Sequence, residues 1–510
     1  MTEWILQFIT PSASRELWCC HTIVTLMTFI CHKTVTIYPR FPTSNNMKAN
    51  KHKKLTKIAL FDGAATLAAL APQAHAQSSD ALIDKLVDKG ILTSDEAKDL
   101  REESDKDFRT ALQAKTGMPD WVTSYKLGGD FRGRFDQISA TDNNTFVNRT
   151  RFRYRLRFGI VANMLDNMEA GFRLGSGDYP AATANSKGKV TSTGGNPDSN
   201  NTTMQDNWSK KTIYVDTAYA KWTALNNGDW LLAATIGKME NPFIFTPMVF
   251  DPDLTPEGAA ITGAYNINDQ QSIAFTGAAF VQDEIASSTQ DPAMYGGQVL
   301  LNSKWTPKLS SSVGGGILMI GSPQSLTTAN VAYVNQGNTR NAAGVLVNSY
   351  NPIIADANAT YLLDSFPFYA GAFPIKVGGE FIDNPGTSQN NSGYWVGATL
   401  GKAGTRHTWD LNYRYEYLEA DAWYDQLADD DNVAYYQNAP VAGSAGAFAG
   451  TNVKGHRVQF NYSITDSLTF SLTGYINDLI NTTLKVPGSA NVNEPNSTAV
   501  HVMADLMWKF

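Results

Sequence analysis

Residues 148–163 read NRTRFRYRLRFGIVAN, and the alternation within this stretch decides the fold. Arginine occupies every second position from 149 to 157, and aromatic or aliphatic side chains occupy the positions between them. Successive side chains of a β-strand point to opposite faces, so one face carries five guanidinium groups and the other an apolar stripe. At roughly 3.4 Å per residue, the charges form a row about 27 Å long. A helix would scatter them around its axis, so the spacing predicts a strand.

Two kinds of β-structure could accept such a strand. A soluble sandwich could bury the apolar face, but its other face would expose a dense row of cations. A transmembrane barrel places apolar side chains against lipid and keeps arginines hydrated in its lumen. The stretch therefore favours a transmembrane antiparallel β-barrel.

The composition of the 510-residue chain fits the same class of protein. Charged residues make up 17%, aromatic residues make up 11%, and there are 40 glycines, as expected for a polar lumen inside a lipid-facing surface. No apolar run reaches the roughly 18 residues that a membrane-spanning helix needs.

The first 76 residues are predicted to be absent from the mature protein. Residues 47–76 are typical of a secretory signal peptide, with a lysine-rich start, a short apolar stretch and the cleavage site Ala74-His75-Ala76. Because this signal begins at Met47, we interpret residues 1–46 as an upstream extension from a misassigned start codon.

Removing this leader changes two properties that limit the function. All three cysteines, Cys19, Cys20 and Cys31, lie in residues 1–46, so we expect neither disulfides nor thiolate metal sites. The leader contains eight basic and three acidic residues, so the remainder carries −12 instead of −7. This acidic balance argues against nucleic-acid binding.

Residues 77–120 are predicted to form a short periplasmic α-helical segment. Apolar residues recur at helical spacing from Leu82 to Val87, and Thr93 to Glu96 has the pattern of a capping box that begins a second helix. The apolar stripe is too narrow for a core of its own. The segment could self-associate as a short coiled coil or act as a plain spacer.

Residues 121–510 are predicted to form the outer-membrane barrel, with about 16 strands. An even number is required when both termini lie on one side of the membrane. Short and long connections alternate, as periplasmic turns and extracellular loops do. The predicted strands are 121–137, 148–163, a strand containing 168–174, 211–224, 228–239, 258–268, 270–282, 294–306, 309–321, 352–364, 372–384, 392–402, 405–419, 453–464, 466–477 and 498–510.

Some details of this barrel remain open at this point. In strand 211–224, the pair Ile213 and Val215 competes with Tyr214 and Trp222 for the lipid face. The long connections, rich in Asn, Gly, Ser, Thr and Asp, are expected to be solvated and mobile, as at 192–204.

The last strand alternates without a break and ends on Phe510, two residues after Trp508. A terminal aromatic residue on an alternating strand resembles the signal by which the outer-membrane assembly machinery recognises barrels. We therefore expect Trp508 and Phe510 to serve in membrane insertion.

The third long connection and its flanks, residues 237–258, read GKMENPFIFTPMVFDPDLTPEG. Together with Gly378-Gly379-Glu380-Phe381 and the terminal Phe510, this stretch resembles the family of bacterial putative porins. The resemblance covers nearly all of the mature chain. It implies an outer-membrane diffusion channel without specifying the solute, and resemblance to general porins makes a homotrimer plausible.

The third connection has unusual chemistry for an exterior loop. Its apolar residues would need burial against other parts of the protein, and its prolines make it stiff. We expect it to fold into the lumen as a constriction loop facing a wall of arginines, which would set ion selectivity. The apolar residues are Met239, Phe243, Ile244, Phe245, Met248, Val249 and Phe250. The polar loop residues are Glu240, Asn241, Asp251, Asp253 and Glu257. The expected pore-lining residues are Arg132, Arg134, Arg149, Arg151, Arg153, Arg155 and Arg157.

For any one of these arginines, a structural role remains an alternative to selectivity, because a lumen carboxylate could pair with it and only brace the wall. For Asp251 and Asp253 a bracing role is favoured, since Asp-Pro and Asp-Leu suit tight turns.

The sequence contains no pattern that indicates catalysis. Beyond the leader, histidine occurs at His407, His456 and His501, on three predicted strands, with His501 expected inside and His456 outside. Metalloprotease, Walker A and nucleophile-elbow motifs do not occur. We therefore expect a non-enzymatic porin in the bacterial outer membrane, surrounded by lipid, that passes small hydrophilic solutes or ions without a cofactor or metal. A β-structural adhesin, in the outer membrane or secreted, remains the main alternative, and a barrel enzyme is a weaker one.

Overall fold

The computed structural model describes most of the predicted barrel and little of the chain before it. The described residues are 83, 85–89, 92–93, 96–101, 119–140, 148–178, 194–286, 288–327, 331, 337–435, 447–448, 450–482 and 498–510. The proposed upstream extension (1–46) and signal peptide (47–76) lie outside these residues, as does most of 77–120.

The first compact unit of the chain is Met1–Glu103. Its described residues at 85–88 and 96–101 are helical. The backbone amide of Thr93 donates to Glu96 Oε2 at 2.8 Å, and the amide of Glu96 donates to Thr93 Oγ1 at 3.3 Å. These reciprocal bonds form the predicted capping box, which supplies partners for two amides at the start of the helix. Within the described part of the chain, no helix has the length and apolar character needed to cross a membrane.

The second unit, Ser104–Phe510, contains a closed antiparallel barrel of sixteen strands. We number them β1 Val122–Ala140, β2 Arg149–Met164, β3 Met168–Ser176, β4 Ile213–Asn226, β5 Trp230–Lys238, β6 Glu257–Asn268, β7 Gln271–Val281, β8 Ala293–Lys304, β9 Leu309–Gly321, β10 Ile353–Leu363, β11 Phe373–Asp383, β12 Ser392–Gly401, β13 Trp409–Leu418, β14 Val453–Ser463, β15 Leu468–Leu479 and β16 Ala499–Lys509. Each strand pairs with the next, and β16 pairs with β1. The predicted fold is confirmed.

Three short strands lie outside the barrel ring. Thr202–Thr203 pairs with β2, where Thr203 lies opposite Arg153. This pairing extends the sheet past the end of β3, which is shorter than β2. Ala434–Tyr435 and Ala447–Phe448 pair with each other.

The outer surface of the barrel is apolar. Phe152 is 58% exposed and Phe158 is 46% exposed, whereas Arg153 and Arg155, which have the opposite parity on the same strand, are buried. Large apolar side chains exposed around a closed barrel form the surface that contacts lipid. The alternation that predicts β2 from the sequence therefore matches the observed burial, with arginines on the inner face and phenylalanines on the outer face.

A β-bulge in β4 resolves the ambiguous register of that strand. Thr217 lies opposite Arg173 and Val215 lies opposite Leu174, which leaves Asp216 as the extra residue. Asp216 and Thr217 are both buried, and the strand changes parity between them. Ile213 and Val215 before the bulge and Trp222 after it therefore all point outward.

The C-terminal residue contributes to the seam that closes the barrel. The amide of Gly129 donates to the backbone oxygen of Phe510 at 2.9 Å, and the amide of Phe510 donates to the backbone oxygen of Gly129 at 3.1 Å. A Cβ atom added at Gly129 would lie 2.1 Å from the Arg157 oxygen and 2.9 Å from the Phe510 ring. Gly129 therefore allows β1, β2 and the terminus to approach closely.

We expect Gly129→Ala to destabilise the barrel by roughly 1–3 kcal/mol, because the added methyl group overpacks the seam. Gly133→Ala is the matched control, since a Cβ at Gly133 meets nothing within 4 Å on the same strand. Samples are heated to increasing temperatures before gel electrophoresis, and the temperature at which the band of the folded protein disappears measures the effect. Equal temperatures for the two variants would contradict the prediction.

Candidate pore-lining site

The arginine row of β2 faces carboxylates on the neighbouring strand β1. Arg151 Nε lies 2.6 Å from Asp136, Arg155 Nη2 lies 2.9 Å from Asp130, and Arg157 Nε lies 2.8 Å from Asp130. Asp130 is directly opposite Arg157, and Asp136 is directly opposite Arg151. Carboxylates on the same inward face thus supply part of the charge that balances the row.

Between these matched positions, arginine lies opposite arginine: Arg132 faces Arg155, and Arg134 faces Arg153. Like charges directly opposite each other destabilise a sheet unless other groups compensate. Arg134 Nε lies 2.8 Å from Asp505 of β16, and Arg132 Nη2 donates to Asn201 Oδ1 at 2.8 Å.

The third connection, residues 239–256, contacts inward-facing side chains on distant strands. Its Phe243 ring packs edge-on against Phe280 of β7, at a centroid distance of 6.3 Å. The amide of its Ile244 donates to Gln298 Oε1 of β8 at 2.8 Å, and the hydroxyl of its Thr246 donates to Glu380 of β11. These contacts hold the connection against inward-facing side chains of β7, β8 and β11.

Most of the apolar residues of this connection are buried, namely Met239, Phe243, Met248, Val249 and Phe250, and Phe245 packs against them. The expectation of burial is wrong for Ile244, whose side chain is 66% exposed. The sequence cannot separate Ile244 from its neighbours, since all of them are apolar. Its backbone is held by Gln298 while the phenylalanines on either side fill the cluster.

The acidic residues of the third connection meet cations on the wall. Asp253 Oδ1 lies 3.0 Å from Arg155 Nη1 and 3.7 Å from Arg157 Nη1. Glu240 pairs with Arg173 of β3, which also pairs with Asp216 of β4.

The remaining polar residues predicted for this site make local contacts. Asn241 Oδ1 accepts the amide of Phe243 at 3.1 Å, and Glu257 pairs with Lys238 at 3.1 Å. Asp251 Oδ1 accepts the amide of Asp253 at 2.7 Å, which is a turn of the kind expected from the sequence.

The connection between β13 and β14 is described at 419–435, 447–448 and 450–452, and it is a second inward connection that holds the third one in place. Trp423 is fully buried and donates from Nε1 to the Val249 oxygen at 2.7 Å. The amide of Asp251 donates to the Leu427 oxygen at 2.8 Å. Sequence reasoning missed this loop, although Trp423, Tyr424 and Leu427 in an otherwise polar stretch were a usable signal.

The connection between β9 and β10, described at 322–327, 331 and 337–352, braces the second inward connection in turn. The amide of Asn338 donates to Asp425 Oδ2 at 3.1 Å, and Tyr350 Oη donates to Asp421 Oδ1 at 2.9 Å. Arg340 Nη2 lies 3.5 Å from Asp425 Oδ1, and both side chains are fully buried. Parts of three long connections are therefore interlocked.

The expectation that the long connections are solvated is also wrong at 198–203. These residues are buried. Ser176 Oγ donates to the Asn200 oxygen at 2.9 Å, and Arg153 Nη2 donates to Ser199 Oγ at 3.4 Å. Their polar side chains satisfy inward-facing groups of the wall, so a polar composition did not mean exposure to bulk water.

Residues 139–318 match the model of a family described as "Putative porin". The matching family is that of the putative porins. The predicted family is thus confirmed on the part of the chain that includes the arginine row and the third connection.

Known porin structures show distant similarity to this chain. A high-pH structure of Pseudomonas putida OprB has 12% identity and a TM-score of 0.44, and covers 76% of this chain and 94% of that chain. A mutant of the Rh. blastica porin has 13% identity and a TM-score of 0.37, and covers 76% of this chain and 100% of that chain. No curated protein is significantly similar to the sequence.

Three carboxylates meet where the third connection touches the second inward connection. Oxygen atoms of Asp251, Asp429 and Asp430 lie within 4.8 Å of one another. Asp429 is compensated by Arg414 Nη2 at 3.1 Å and by the Tyr475 hydroxyl at 3.3 Å.

Ionisation of the other two carboxyls is opposed by their surroundings. Burial, followed by repulsion from neighbouring carboxylates, raises the pKa of Asp251 and Asp430 well above the usual value. Arg153 is the cation that opposes this effect at Asp430. Burial also acts on Asp431, but the nearby Arg134 lowers its pKa. The neighbouring carboxylates are Asp198, Asp253, Asp429 and Asp431.

We expect Trp423→Phe to loosen the third connection, because the Val249 oxygen loses its buried donor at a cost of roughly 1–3 kcal/mol. Single-channel recordings should then show larger current fluctuations than the native protein. Trp208→Phe is the control, since the Trp208 side chain is fully exposed. Identical noise in the Trp423 variant and the control would show that this bond does not position the loop.

We also expect the contact between these two connections to weaken as the pH rises. A carboxyl whose pKa is raised by folding stabilises the folded state while protonated, and this contribution is lost as the pH rises through the raised pKa. Proteolysis of the third connection in membranes should therefore increase from mildly acidic to mildly alkaline pH. Replacing both Asp251 and Asp430 with Asn should flatten this dependence, and Asp269→Asn, in an exposed turn, should leave it intact. A dependence that persists in the double variant would refute the assignment.

Proposed function

We propose that this protein is an outer-membrane porin through which small hydrophilic solutes or ions diffuse passively. The observation that carries the proposal is the placement of the arginine row inside a closed barrel whose outer face is apolar. Charges on the inside and apolar side chains on the outside suit an aqueous passage through lipid. The match to the putative porin family supports the same function.

The finer proposal is that the third connection narrows the lumen opposite the arginine wall. Asp253 reaches Arg155 and Arg157, so acidic loop residues and basic wall residues meet across a short distance. The electric field between these opposite charges orients dipolar solutes and discriminates between ions. The ion pairs indicate that the arginines brace the wall as well as setting selectivity. This dual role is proposed for Arg132, Arg134, Arg149, Arg151, Arg153, Arg155 and Arg157.

The mature protein is proposed to begin with a periplasmic helical segment and to work without cofactor or energy input. The terminal residues Trp508 and Phe510 would be read by the outer-membrane assembly machinery. A homotrimer would follow the general pattern of porins. These parts of the proposal rest on the sequence.

Swelling of proteoliposomes tests the diffusion function. Liposomes that contain the folded protein should swell in a small sugar and fail to swell in a large dextran, because only the sugar fits through a narrowed lumen. Protein unfolded before reconstitution is the control. Absence of swelling with correctly folded protein would contradict the proposal.

Replacing Arg153 and Arg155 with Ala should shift the reversal potential in a salt gradient towards cations. The loss of two guanidiniums leaves Asp130, Asp136 and Asp253 with fewer counter-charges beside the passage. Arg406→Ala is the control, because Arg406 lies in an exposed turn outside the site and its replacement also removes a guanidinium group. An unchanged reversal potential in the double variant would remove both arginines from the selectivity site.

A further inference from the structure

A cavity of about 710 Å³ lies against the inner side of β1–β4 and the end of β16. Its wall side includes Lys126, Arg157, Arg173 and Lys509, and its loop side includes Glu240 and Asp253. Lys126 lies near the start of β1 and Lys509 at the end of β16, where the chain turns are short. In a porin these ends face the periplasm, so the end of the cavity that contains the two lysines lies towards that side.

The charges of this cavity are unevenly matched. Its lining contains five cationic residues and three acidic ones. Arg155, Arg157 and Arg173 have carboxylate partners. Within the part of the chain that the structure describes, the ammonium groups of Lys126 and Lys509 have neither an ion pair nor a hydrogen bond. Positive charge is therefore left over on the wall side, which attracts an anion.

The loop side of the cavity offers groups of the opposite character. The Glu240 side chain pairs with Arg173 and yet remains largely exposed, and Asp253 bridges Arg155 and Arg157. A carboxylate accepts hydrogen bonds but cannot donate them. A ligand that lies between the two sides would therefore present negative charge to the wall and hydroxyl donors to the loop.

The size of the cavity narrows the choice of anion. Cavities of roughly 300–1,000 Å³ hold organic molecules of ordinary metabolite or drug size. A small inorganic anion would leave most of this space to water and would not reach both sides. Size and charge together indicate an organic carboxylate with several hydroxyl groups.

The wall formed by β7–β9 lacks a comparable charge. The inward-facing residues of β7–β9 are mostly small or uncharged, such as Ser272, Thr276, Gln298 and Ser312. An anion between these strands and β1–β4 would therefore be drawn to the β1–β4 side.

We propose that this cavity is a transient binding site for hydroxylated organic carboxylates that cross the barrel. The proposal rests on the porin function and adds a solute class and a route along the β1–β4 wall. Lys126 and Lys509 attract the carboxylate, and Glu240 and Asp253 accept hydrogen bonds from its hydroxyl groups. Binding in a channel must be weak enough for the solute to leave, so the affinity is modest.

Single-channel chloride current in the presence of gluconate tests this site. Gluconate should reduce the current at a lower concentration than glucose, which has a similar size and no charge, and than inorganic phosphate. Lys126→Gln should raise the half-blocking concentration of gluconate severalfold. Lys376→Gln is the matched control, because Lys376 is an inward-facing, exposed lysine near the start of β11, outside the cavity.

The possible outcomes separate this proposal from the porin function. Absence of channel current with native protein would overturn the porin function and the site with it. Current that gluconate and glucose reduce equally, or that phosphate blocks as well as gluconate, would leave a porin and overturn the site. Equal effects of Lys126→Gln and Lys376→Gln would overturn the proposed location.

Discussion

The neutralisation of closely spaced guanidinium groups is the constraint on which the rest of this structure depends. An unpaired charge removed from water costs several kcal/mol, so cations at every second position of β2 require nearby carboxylates or water. β1 supplies Asp130 and Asp136, and β16 supplies Asp505. These strands carry too few carboxylates for every arginine. Asp253 of the third connection and Asp431 of the second inward connection therefore also pair with arginines of the wall. The charge pattern of one strand thus governs both strand neighbours and loops.

The outer and inner sides of the barrel are stabilised in different ways. Outside, lipid offers no hydrogen bonds, so the backbone of every strand must be paired, and closure of β16 onto β1 achieves this. Inside, the interlocked connections bury aromatic residues such as Trp423 and Phe250 against each other. A small apolar core within a polar lumen gives the third connection a fixed position. A fixed position is what the proposed selective passage needs, because a mobile loop would not hold its charges at defined positions.

The strands could be predicted from the sequence because alternation with a period of two is local information. The predicted boundaries lie close to the observed ones, although β1 continues to Ala140 instead of ending near Gln137. The bulge at Asp216 could not be predicted, because one extra residue changes parity without any change in composition. The burial of the loop around Trp423 and the exposure of Ile244 depend on contacts between segments far apart in the chain. Sequence identified candidate arginines, and only the fold shows which carboxylates reach them.

The central claim is that the arginine face of β2 borders water inside the barrel while the other face borders lipid. Single cysteines along β2, reacted with a membrane-impermeant thiol reagent in intact membranes, test this most directly. Because every cysteine of the chain lies within residues 1–46, a mature protein without the leader provides a clean background. We predict reaction for Arg151→Cys and Arg157→Cys and protection for Phe152→Cys and Phe158→Cys. Reaction at the two phenylalanine positions with protection at the two arginine positions would contradict the account.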